Sequence, residues 1–214
     1  GRDVLVRALR SEVDLTVGLR RRPEWVGEYQ LTSPPVGFGD IVIVGSSVAD
    51  NSRARMASGE VRAFDATTGE LRWTFHPLPE NVQAGGANGW PPITVDAANG
   101  LVFLSTGSPS PDYFGGLRPG NNEYANSLVV LKAATGEVAW HFQTVHHDLW
   151  DYDVASPAVL FPGRNGAAVA VGSKTGHLFL FDRLKGTPLF PITERNVPAS
   201  DVPGEQASPT QPFP

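Results

Sequence analysis

The chain has 214 residues, of which 41% are apolar and 18% are charged, so it can form one or two domains with buried cores and is not a disordered charged tail. Its formal charge of -5 offers no basic surface, which argues against a nucleic-acid partner. The absence of cysteine excludes disulfides, thiolate nucleophiles and cysteine-ligated metals, and it fits an oxidising compartment.

No stretch of the chain has the length of a membrane-spanning segment. The apolar run within residues 40–45 is far shorter than the roughly 20 residues that such a helix needs, and no secretory signal pattern opens the chain. We therefore expect these 214 residues to be water-soluble. Because the chain begins with Gly1 and ends in residues 208–214 without a capping pattern, we also expect a fragment of a longer protein.

The N-terminal part combines an irregular segment with a first short strand. Residues 1–28, which include three consecutive arginines before Pro23, are expected to form an irregular connection. The apolar run at residues 41–45 predicts a strand that ends in glycine. Asp50 and Asn51 follow in the next loop, and an acid beside an amide suits a hard cation such as Ca²⁺ or Mg²⁺. An Asx turn is the structural alternative for this pair.

A hairpin pattern then occurs three times along the chain. Residues 61–75 contain an apolar strand, a Thr-Gly turn and a second strand with Trp73, and the pattern returns 67 residues later around Trp140. A weaker third copy spans residues 178–186. Glycine at each turn supplies the positive φ that a hairpin requires. The short apolar strands that precede the three hairpins lie at residues 41–45, 101–107 and 168–172.

A strand plus a hairpin, repeated at this spacing, is typical of propeller blades. Closing a propeller takes at least four blades, and only about three are visible, so the predicted fold is all-β, a partial arc of a larger ring. Residues 188–214 would lead into the next blade. An open antiparallel sandwich is the alternative. The inserts at residues 76–100 and 108–126 are rich in Gly, Pro and Asn and are expected to be rim loops, where function usually lies.

The densest group of ionisable side chains lies at residues 145–153, directly after the second hairpin, interleaved with two large aromatics. A carboxylate between aromatics is partly desolvated, which raises its pKa toward a value useful for a general base. A zinc site is disfavoured because the adjacent His146 and His147 would point to opposite faces of a strand. A structural turn, in which an aspartate caps backbone amides and Trp150 packs between blades, remains an alternative to the catalytic interpretation.

Two further residues have sequence settings that suit a ligand. Trp90 follows a flexible glycine and precedes two prolines, which can present its indole face to a planar ligand, although a tryptophan also packs well inside a blade. Lys174 lies in a tight turn after an apolar strand, where it can pair with an anion or remain solvated. The string around it is not a P-loop, because the Gly spacing and the Gly-Lys-Ser/Thr order are missing.

Several strings together resemble one family, the pyrroloquinoline-quinone (PQQ) dependent dehydrogenases, and within it the membrane-bound glucose dehydrogenase branch that includes quinate and polyol dehydrogenases. The resemblance runs from about residue 28 to the end of the chain, and the histidine-led string is its most specific part. The strings lie at residues 32–35, 48–51, 65–73, 108–113, 144–153, 174–176 and 208–213.

The resemblance implies an eight-bladed propeller with PQQ near its axis, of which this chain looks like three to four blades. It implies that Asp151 is the general base that takes the proton of the substrate hydroxyl. Lys174 matches a lysine that contacts the quinone oxygens, and Trp90 matches a ring that stacks on the cofactor plane. We place His147 with these cofactor-binding residues.

The resemblance also implies a Ca²⁺ or Mg²⁺ site. Asp50 and Asn51 match the region that holds the cation, and Ser108 or Ser110 falls where a further polar ligand contributes. A cation there would act as a Lewis acid on the quinone. Asp153, two residues after the expected base, resembles an arrangement in lanthanide-using alcohol dehydrogenases and does not by itself identify the metal.

The activity that the resemblance implies is PQQ-dependent oxidation of a sugar or polyol hydroxyl, of the glucose-to-gluconolactone type. Electrons would pass to membrane quinone on the periplasmic side, with a membrane anchor outside this chain. The substrate remains open among glucose, other aldoses, polyols and quinate. The alternative is a non-catalytic propeller that serves as a protein-binding scaffold, which would have no use for Asp151, Lys174 and Asp50 together.

Overall fold

The structure is a computed structural model that describes residues 14–164 and 166–214. Residues 1–13 of the expected N-terminal connection lie outside this part. The described residues form fifteen short strands and one 3-10 helix, Gly115–Leu117. The strands are β1 Tyr29–Gln30, β2 Val36–Phe38, β3 Ile41–Val44, β4 Ser47–Val48, β5 Val61–Asp65, β6 Leu71–Phe75, β7 Thr94–Asp96, β8 Leu101–Ser105, β9 Ser127–Lys132, β10 Val138–Gln143, β11 Val159–Gly163, β12 Gly166–Gly172, β13 Leu178–Asp182, β14 Thr193–Asn196 and β15 Thr210–Phe213.

Three antiparallel sheets follow one another along the chain. Their strand orders are β2-β3-β5-β6, then β10-β9-β8-β7, then β11-β12-β13. In each sheet the predicted apolar strand pairs with the first strand of the predicted hairpin. The three repeated units are therefore confirmed as three sheets of a β-propeller. Two small sheets, β1-β4 and β14-β15, complete the topology.

Two outer strands lie where the sequence pattern is weakest. Strand β7 occupies part of the insert at residues 76–100, which we expected to be a loop throughout. It has only three residues and pairs with the edge of β8, so it is too short to show a period-2 pattern. The same holds for β2, which precedes the first predicted strand.

The hydrophobic core lies between the sheets, and it explains why the central strands are apolar without alternation. In β8, Val102 and Leu104 pack into a cluster with residues of the first sheet. The intervening Leu101 and Phe103 point the other way, into a cluster with residues of the third sheet. Because both faces of this strand are buried, residues 101–104 are all apolar and do not alternate with polar residues.

The tryptophan and the glycine of successive repeats link neighbouring sheets. The Trp73 indole N–H donates to the Ala133 carbonyl at 3.0 Å, and its ring covers Gly136, where a Cβ would lie 2.6 Å from Trp73 Cε3. Trp140 repeats this contact one sheet further, with a Cβ at Gly186 placed 2.5 Å from its ring. Turn glycine and strand tryptophan therefore recur together because each blade packs its tryptophan on the next blade's turn.

We expect Gly136→Ala to lower the free energy of unfolding by about 2–4 kcal/mol, because the methyl group meets the Trp73 ring and the backbone is left-handed. The φ angle there is +74°. Gly39→Ala is the matched control, since Gly39 has a φ of +56° and a methyl group on it would have no atom within 4 Å; it should lose only about 1 kcal/mol. Urea unfolding followed by tryptophan fluorescence measures both. Equal losses in the two variants would show that the ring does not oppose a methyl group.

No helix of the described residues is long and apolar enough to cross a membrane.

Candidate cofactor and catalytic site

Loops from all three sheets meet at one place. They are the loop after β4 with Asp50, the segment before β7 with Trp90, the loop after β8 with residues 108–112, the turn after β10 with residues 148–153, and the turn after β12 with Lys174. Hydrogen bonds and ion pairs between these loops bring several of the expected site residues into contact.

Asp153 lies at the centre of these contacts and is buried, with 6% exposure. Its Oδ1 atom accepts the Ser108 backbone N–H at 2.7 Å. Its Oδ2 atom accepts the Trp90 indole N–H at 3.2 Å and lies 2.8 Å from Lys174 Nζ. The sequence patterns assign Asp153 no role, yet in the structure it joins Trp90, Lys174 and the loop of Ser108.

Asp151, the expected base, is half-buried at the tip of a turn, and its Oδ2 atom accepts a hydrogen bond from Lys174 Nζ at 2.8 Å. Burial raises the pKa of Asp151, the hydrogen bond from Lys174 opposes this, and the charge of Asp153 adds to the rise, so the net direction is upward. Burial disfavours the charged form of Lys174, but its bonds to the two carboxylates outweigh this and raise the pKa of Lys174.

The turn that carries Asp151 depends on Asp148. Asp151 has a φ of +59°, a conformation that costs energy for a residue with a side chain. The buried Asp148 carboxylate accepts the backbone N–H groups of Trp150 at 3.1 Å and Tyr152 at 2.8 Å. These bonds stabilise the turn in which Asp151 has its positive φ. Arg118 in turn donates to the Asp148 carbonyl.

Ser108, an expected metal ligand, uses its hydroxyl group within the protein. Its Oγ donates to Asp148 Oδ2 at 2.6 Å and accepts from Asn126 Nδ2 at 2.9 Å. Asn126 also donates to the same Asp148 oxygen at 3.1 Å. Sequence reasoning missed Asp148 and Asn126 as parts of the site. Asp148 stands inside the histidine-led string, but nothing there indicates that its side chain turns inward.

Ser110, the other expected serine ligand, ties the loop after β8 to the loop of Asp50. Its hydroxyl oxygen accepts the Gly85 N–H at 2.7 Å and donates to the Ala54 carbonyl at 2.6 Å. Asp50 lies close by, because a Cβ at Gly86 would be 3.3 Å from Asp50 Cβ and 3.2 Å from the Ser110 nitrogen. Asn51 is exposed in the turn that follows Asp50.

Asp112 is a further buried carboxylate, which the sequence patterns do not single out. It is 1% exposed, and within the described residues its Oδ1 atom has no hydrogen-bond partner. Burial, and then the charge of Asp50, raise the pKa of Asp112 to about 8. Burial, and then the charge of Asp153, raise the pKa of Asp50 to about 7. Only the proline between Ser110 and Asp112 hints at a fixed loop here.

His147 lies apart from the other expected site residues. It is in a turn after β10 and not on a strand, so the opposite-face argument against a two-histidine metal site does not apply. Its Nδ1 atom bonds the Gly120 carbonyl at 2.6 Å, and its ring packs against Gly115. Burial lowers the pKa of His147, which favours the neutral ring. His146 faces Gln143 and Glu194 instead. A cofactor contact of His147 stays a prediction.

Two aromatic side chains flank Asp151 and open onto a groove. Trp150 and Tyr152 stack with ring centroids 5.8 Å apart and are 42% and 38% exposed. They line a groove with a volume of about 720 Å³. The packing of Trp150 between blades, which was the structural alternative for this segment, is therefore not observed.

The donor set fits a hard cation and a planar anionic cofactor. Asp50 and Asp112 supply carboxylate oxygens, which suit Ca²⁺ or Mg²⁺, and the orphaned Asp112 oxygen indicates an unmet interaction. Among residues 14–164 and 166–214, no three His, Asp or Glu side chains converge closely enough to hold a metal by themselves, so further ligands would have to come from elsewhere. Lys174 and Trp90 supply a cation and an aromatic face.

Known proteins with a similar sequence point the same way. The family profile for the PQQ glucose/ethanol/alcohol dehydrogenase β-propeller domain matches residues 8–214. The quinoprotein glucose dehydrogenase of Escherichia coli is 40% identical over 202 residues, which cover 87% of this chain and 25% of that protein. The quinate/shikimate dehydrogenase (quinone) of Acinetobacter baylyi is 39% identical over 200 residues, which cover 86% of this chain and 25% of that protein.

A solved structure shows the same fold. The quinohemoprotein alcohol dehydrogenase of Comamonas testosteroni superposes with a TM-score of 0.70 at 23% identity, over 92% of this chain and 32% of that one. The chain spans about a quarter of the length of the curated relatives named above. From its sequence match and its sheets, the chain belongs to the β-propeller family of PQQ-dependent glucose, ethanol and alcohol dehydrogenases.

Proposed function

We propose that this chain carries the catalytic face of a PQQ-dependent dehydrogenase that oxidises a hydroxyl group of a sugar or polyol. The observation that carries the proposal is the position of Lys174, whose ammonium group lies 2.8 Å from both Asp151 and Asp153. A cation and a half-buried carboxylate side by side suit an anionic quinone and a general base respectively. A protein-binding scaffold has no need of this arrangement.

Each site residue has a distinct task in this proposal. Lys174 and Trp90 hold the cofactor through charge and stacking. Asp50 binds the Ca²⁺ or Mg²⁺ ion, with Asn51 as a second ligand of the predicted type. When bound, PQQ supplies the two-electron acceptor for the hydride of the substrate carbon.

Asp151 takes the hydroxyl proton of the substrate. Its Oδ2 atom is engaged by Lys174, so Oδ1 is the atom that accepts the proton. The bond from Lys174 stabilises the carboxylate form and keeps Asp151 available as a base at neutral pH. The exposed faces of Trp150 and Tyr152 beside it suit the apolar C–H face of a sugar ring.

The same proposal covers the architecture and the setting of the enzyme. Residues 29–214 form three to four blades of one propeller domain, an eight-bladed ring to which the remainder of a longer polypeptide contributes, after an irregular connection over residues 1–28. Electrons pass to a membrane quinone on the periplasmic side, with the membrane anchor outside this chain. The Acinetobacter relative is named a quinate/shikimate dehydrogenase (quinone), which supports this acceptor.

The test is dye-linked oxidation by the complete polypeptide that contains this chain. The panel contains glucose, other aldoses, polyols and quinate, each with and without PQQ and with and without Ca²⁺ or Mg²⁺. We expect turnover that requires both PQQ and the cation, and the panel identifies the substrate. A folded protein that is inactive with every substrate would contradict the proposal and favour the scaffold.

A further inference from the structure

Asp153 contacts three separate segments of the site, those of Trp90, Ser108 and Lys174. The family resemblance gives it no task, yet no residue to which the resemblance gives one makes as many connections. We infer that Asp153 is a positioning residue that fixes Lys174 and Trp90 relative to each other and to the base Asp151, and that it is neither the base nor a metal ligand. This inference rests on the proposed function, since its purpose is to hold the residues that would bind the cofactor.

The carboxylate of Asp153 is enclosed by donors from separate segments. On the Oδ1 side, the Ser108 backbone N–H donates at 2.7 Å, and Gly107 approaches so closely that a Cβ there would lie 2.9 Å from this oxygen. On the Oδ2 side, Trp90 Nε1 donates at 3.2 Å and Lys174 Nζ lies at 2.8 Å. A carboxylate surrounded in this way has no open side toward a metal or a substrate proton.

Asp153 holds Lys174 at both ends. The Lys174 backbone N–H donates to the Asp153 carbonyl at 2.9 Å, while the ammonium group pairs with the carboxylate. This double attachment fixes both the turn after β12 and the direction of the lysine side chain. Because the Trp90 indole is bound by the same carboxylate oxygen, the stacking ring and the cation are held as one unit.

The second effect of Asp153 concerns the base. The Lys174 ammonium group lies 2.8 Å from Asp151 and 2.8 Å from Asp153, so the two carboxylates share it. Without the charge of Asp153, Lys174 and Asp151 would form an exclusive pair. The carboxylate that must accept a proton would then be bound more tightly by the lysine.

The experiment compares Asp153→Asn with Asp96→Asn in the complete polypeptide. Asp96 is a matched control because it is also 6% exposed, is also bonded by a cation, Arg183 at 3.0 Å, and lies on strand β7 outside the site loops. PQQ affinity of the apo protein is measured by titration with tryptophan fluorescence, and kcat and KM by dye-linked turnover. Thermal unfolding checks that each variant is folded.

For Asp153→Asn we expect the Kd for PQQ to rise about tenfold and kcat to fall at least as much, as for loss of a charge-assisted hydrogen bond. The substrate KM should stay within about twofold, since Asp153 does not touch substrate. In the double variant with Lys174→Gln, the rise in the Kd for PQQ should be smaller than the two single effects combined, because Asp153 acts in part through that lysine and in part through Trp90. Asp96→Asn should lose stability and keep the parental Kd.

Three results would overturn the inference. The first is parental PQQ affinity and kcat in a folded Asp153→Asn variant. The second is full additivity of the Asp153 and Lys174 substitutions. The third is a loss of affinity for Ca²⁺, titrated without PQQ, that exceeds the loss for PQQ, since this would make Asp153 a metal ligand.

If Asp153→Asn does not fold, a second double-mutant cycle tests the inference without changing Asp153. Trp90→Phe and Lys174→Gln remove the two donors to the shared Oδ2 atom, so their effects on the Kd for PQQ should be non-additive; additive effects would contradict the inference. A parental protein that binds no PQQ at all would overturn the proposed function instead, so the two failures are distinguishable.

Discussion

Replacing Asp151 by asparagine in the complete polypeptide should reduce turnover by about 10³-fold, within the range known for loss of a general base, while PQQ binding stays nearly unchanged. Asparagine keeps the size and shape of the side chain but cannot take the proton of the substrate hydroxyl. It also keeps an oxygen for the bond from Lys174, which lies 2.8 Å from the carboxylate. The substitution therefore removes a proton acceptor and leaves the cofactor contacts in place.

Dye-linked turnover and PQQ titration measure these two effects separately. Asp65→Asn is a suitable control, since Asp65 accepts the backbone N–H groups of Thr67 and Thr68 in the turn of the first hairpin and lies outside the site loops. It should leave turnover unchanged. Oxidation at the parental rate by Asp151→Asn would show that another group takes the proton. The pattern differs from that of Asp153→Asn, in which PQQ affinity falls as well.

The fold was largely predictable because the repeat is visible in local sequence. Turn glycines and strand tryptophans such as Gly136 and Trp73 form one contact between successive sheets, so this tertiary contact appears as a repeated pattern in the sequence. The outer strands β2 and β7 have no such pattern. They have three residues each and form only because a neighbouring strand offers an edge.

The site was predictable in part, and mainly through the family resemblance. Trp90, Asp151 and Lys174 are expected site residues, and the structure joins all three through Asp153. Their meeting depends on contacts between residues 63 and 23 positions apart, which no local pattern records. The inward side chain of Asp112 was missed for the same reason.

Hydroxyl groups illustrate a different limit. Ser108 and Ser110 are both at the site, as expected, but each uses its hydroxyl to join two loops. A sequence shows that a serine is present and cannot show whether its oxygen already has partners. A metal contact of either residue therefore stays a prediction, as does that of Asn51.

The cation-free protein should lose stability as the pH rises from about 4 to about 8, a direction opposite to that of most acid-sensitive proteins. The pKa of Asp50 is raised to about 7 and that of Asp112 to about 8, from an ordinary value of 3.8 in each case. Between these values the folded protein keeps protons that the unfolded chain has released. Raising the pH therefore favours unfolding, and the stabilisation is complete only below the unfolded pKa.

Thermal unfolding without PQQ and in the presence of a chelator measures this effect. We expect the melting temperature of the complete polypeptide to be lower at pH 8.5 than at pH 5. Asp112→Asn removes one of the two titrating groups, so it should flatten the pH dependence and raise the melting temperature at pH 8.5. Ca²⁺ should stabilise the parental protein more at pH 8.5 than at pH 5, because it binds the ionised carboxylates.

Asp96→Asn provides a control with the opposite sign. Burial opposes ionisation of Asp96, but hydrogen bonds from Asn99 and the charge of Arg183 outweigh it and lower the pKa of Asp96. Its contribution to stability is present above the unfolded pKa and is lost as the pH falls through the folded one. Asp96→Asn should therefore lower the melting temperature at pH 8.5, where Asp112→Asn raises it. A lower melting temperature of Asp112→Asn at pH 8.5 would contradict this prediction. It would mean that the Asp112 carboxylate is ionised and stabilising in the cation-free protein, so that its pKa is not raised.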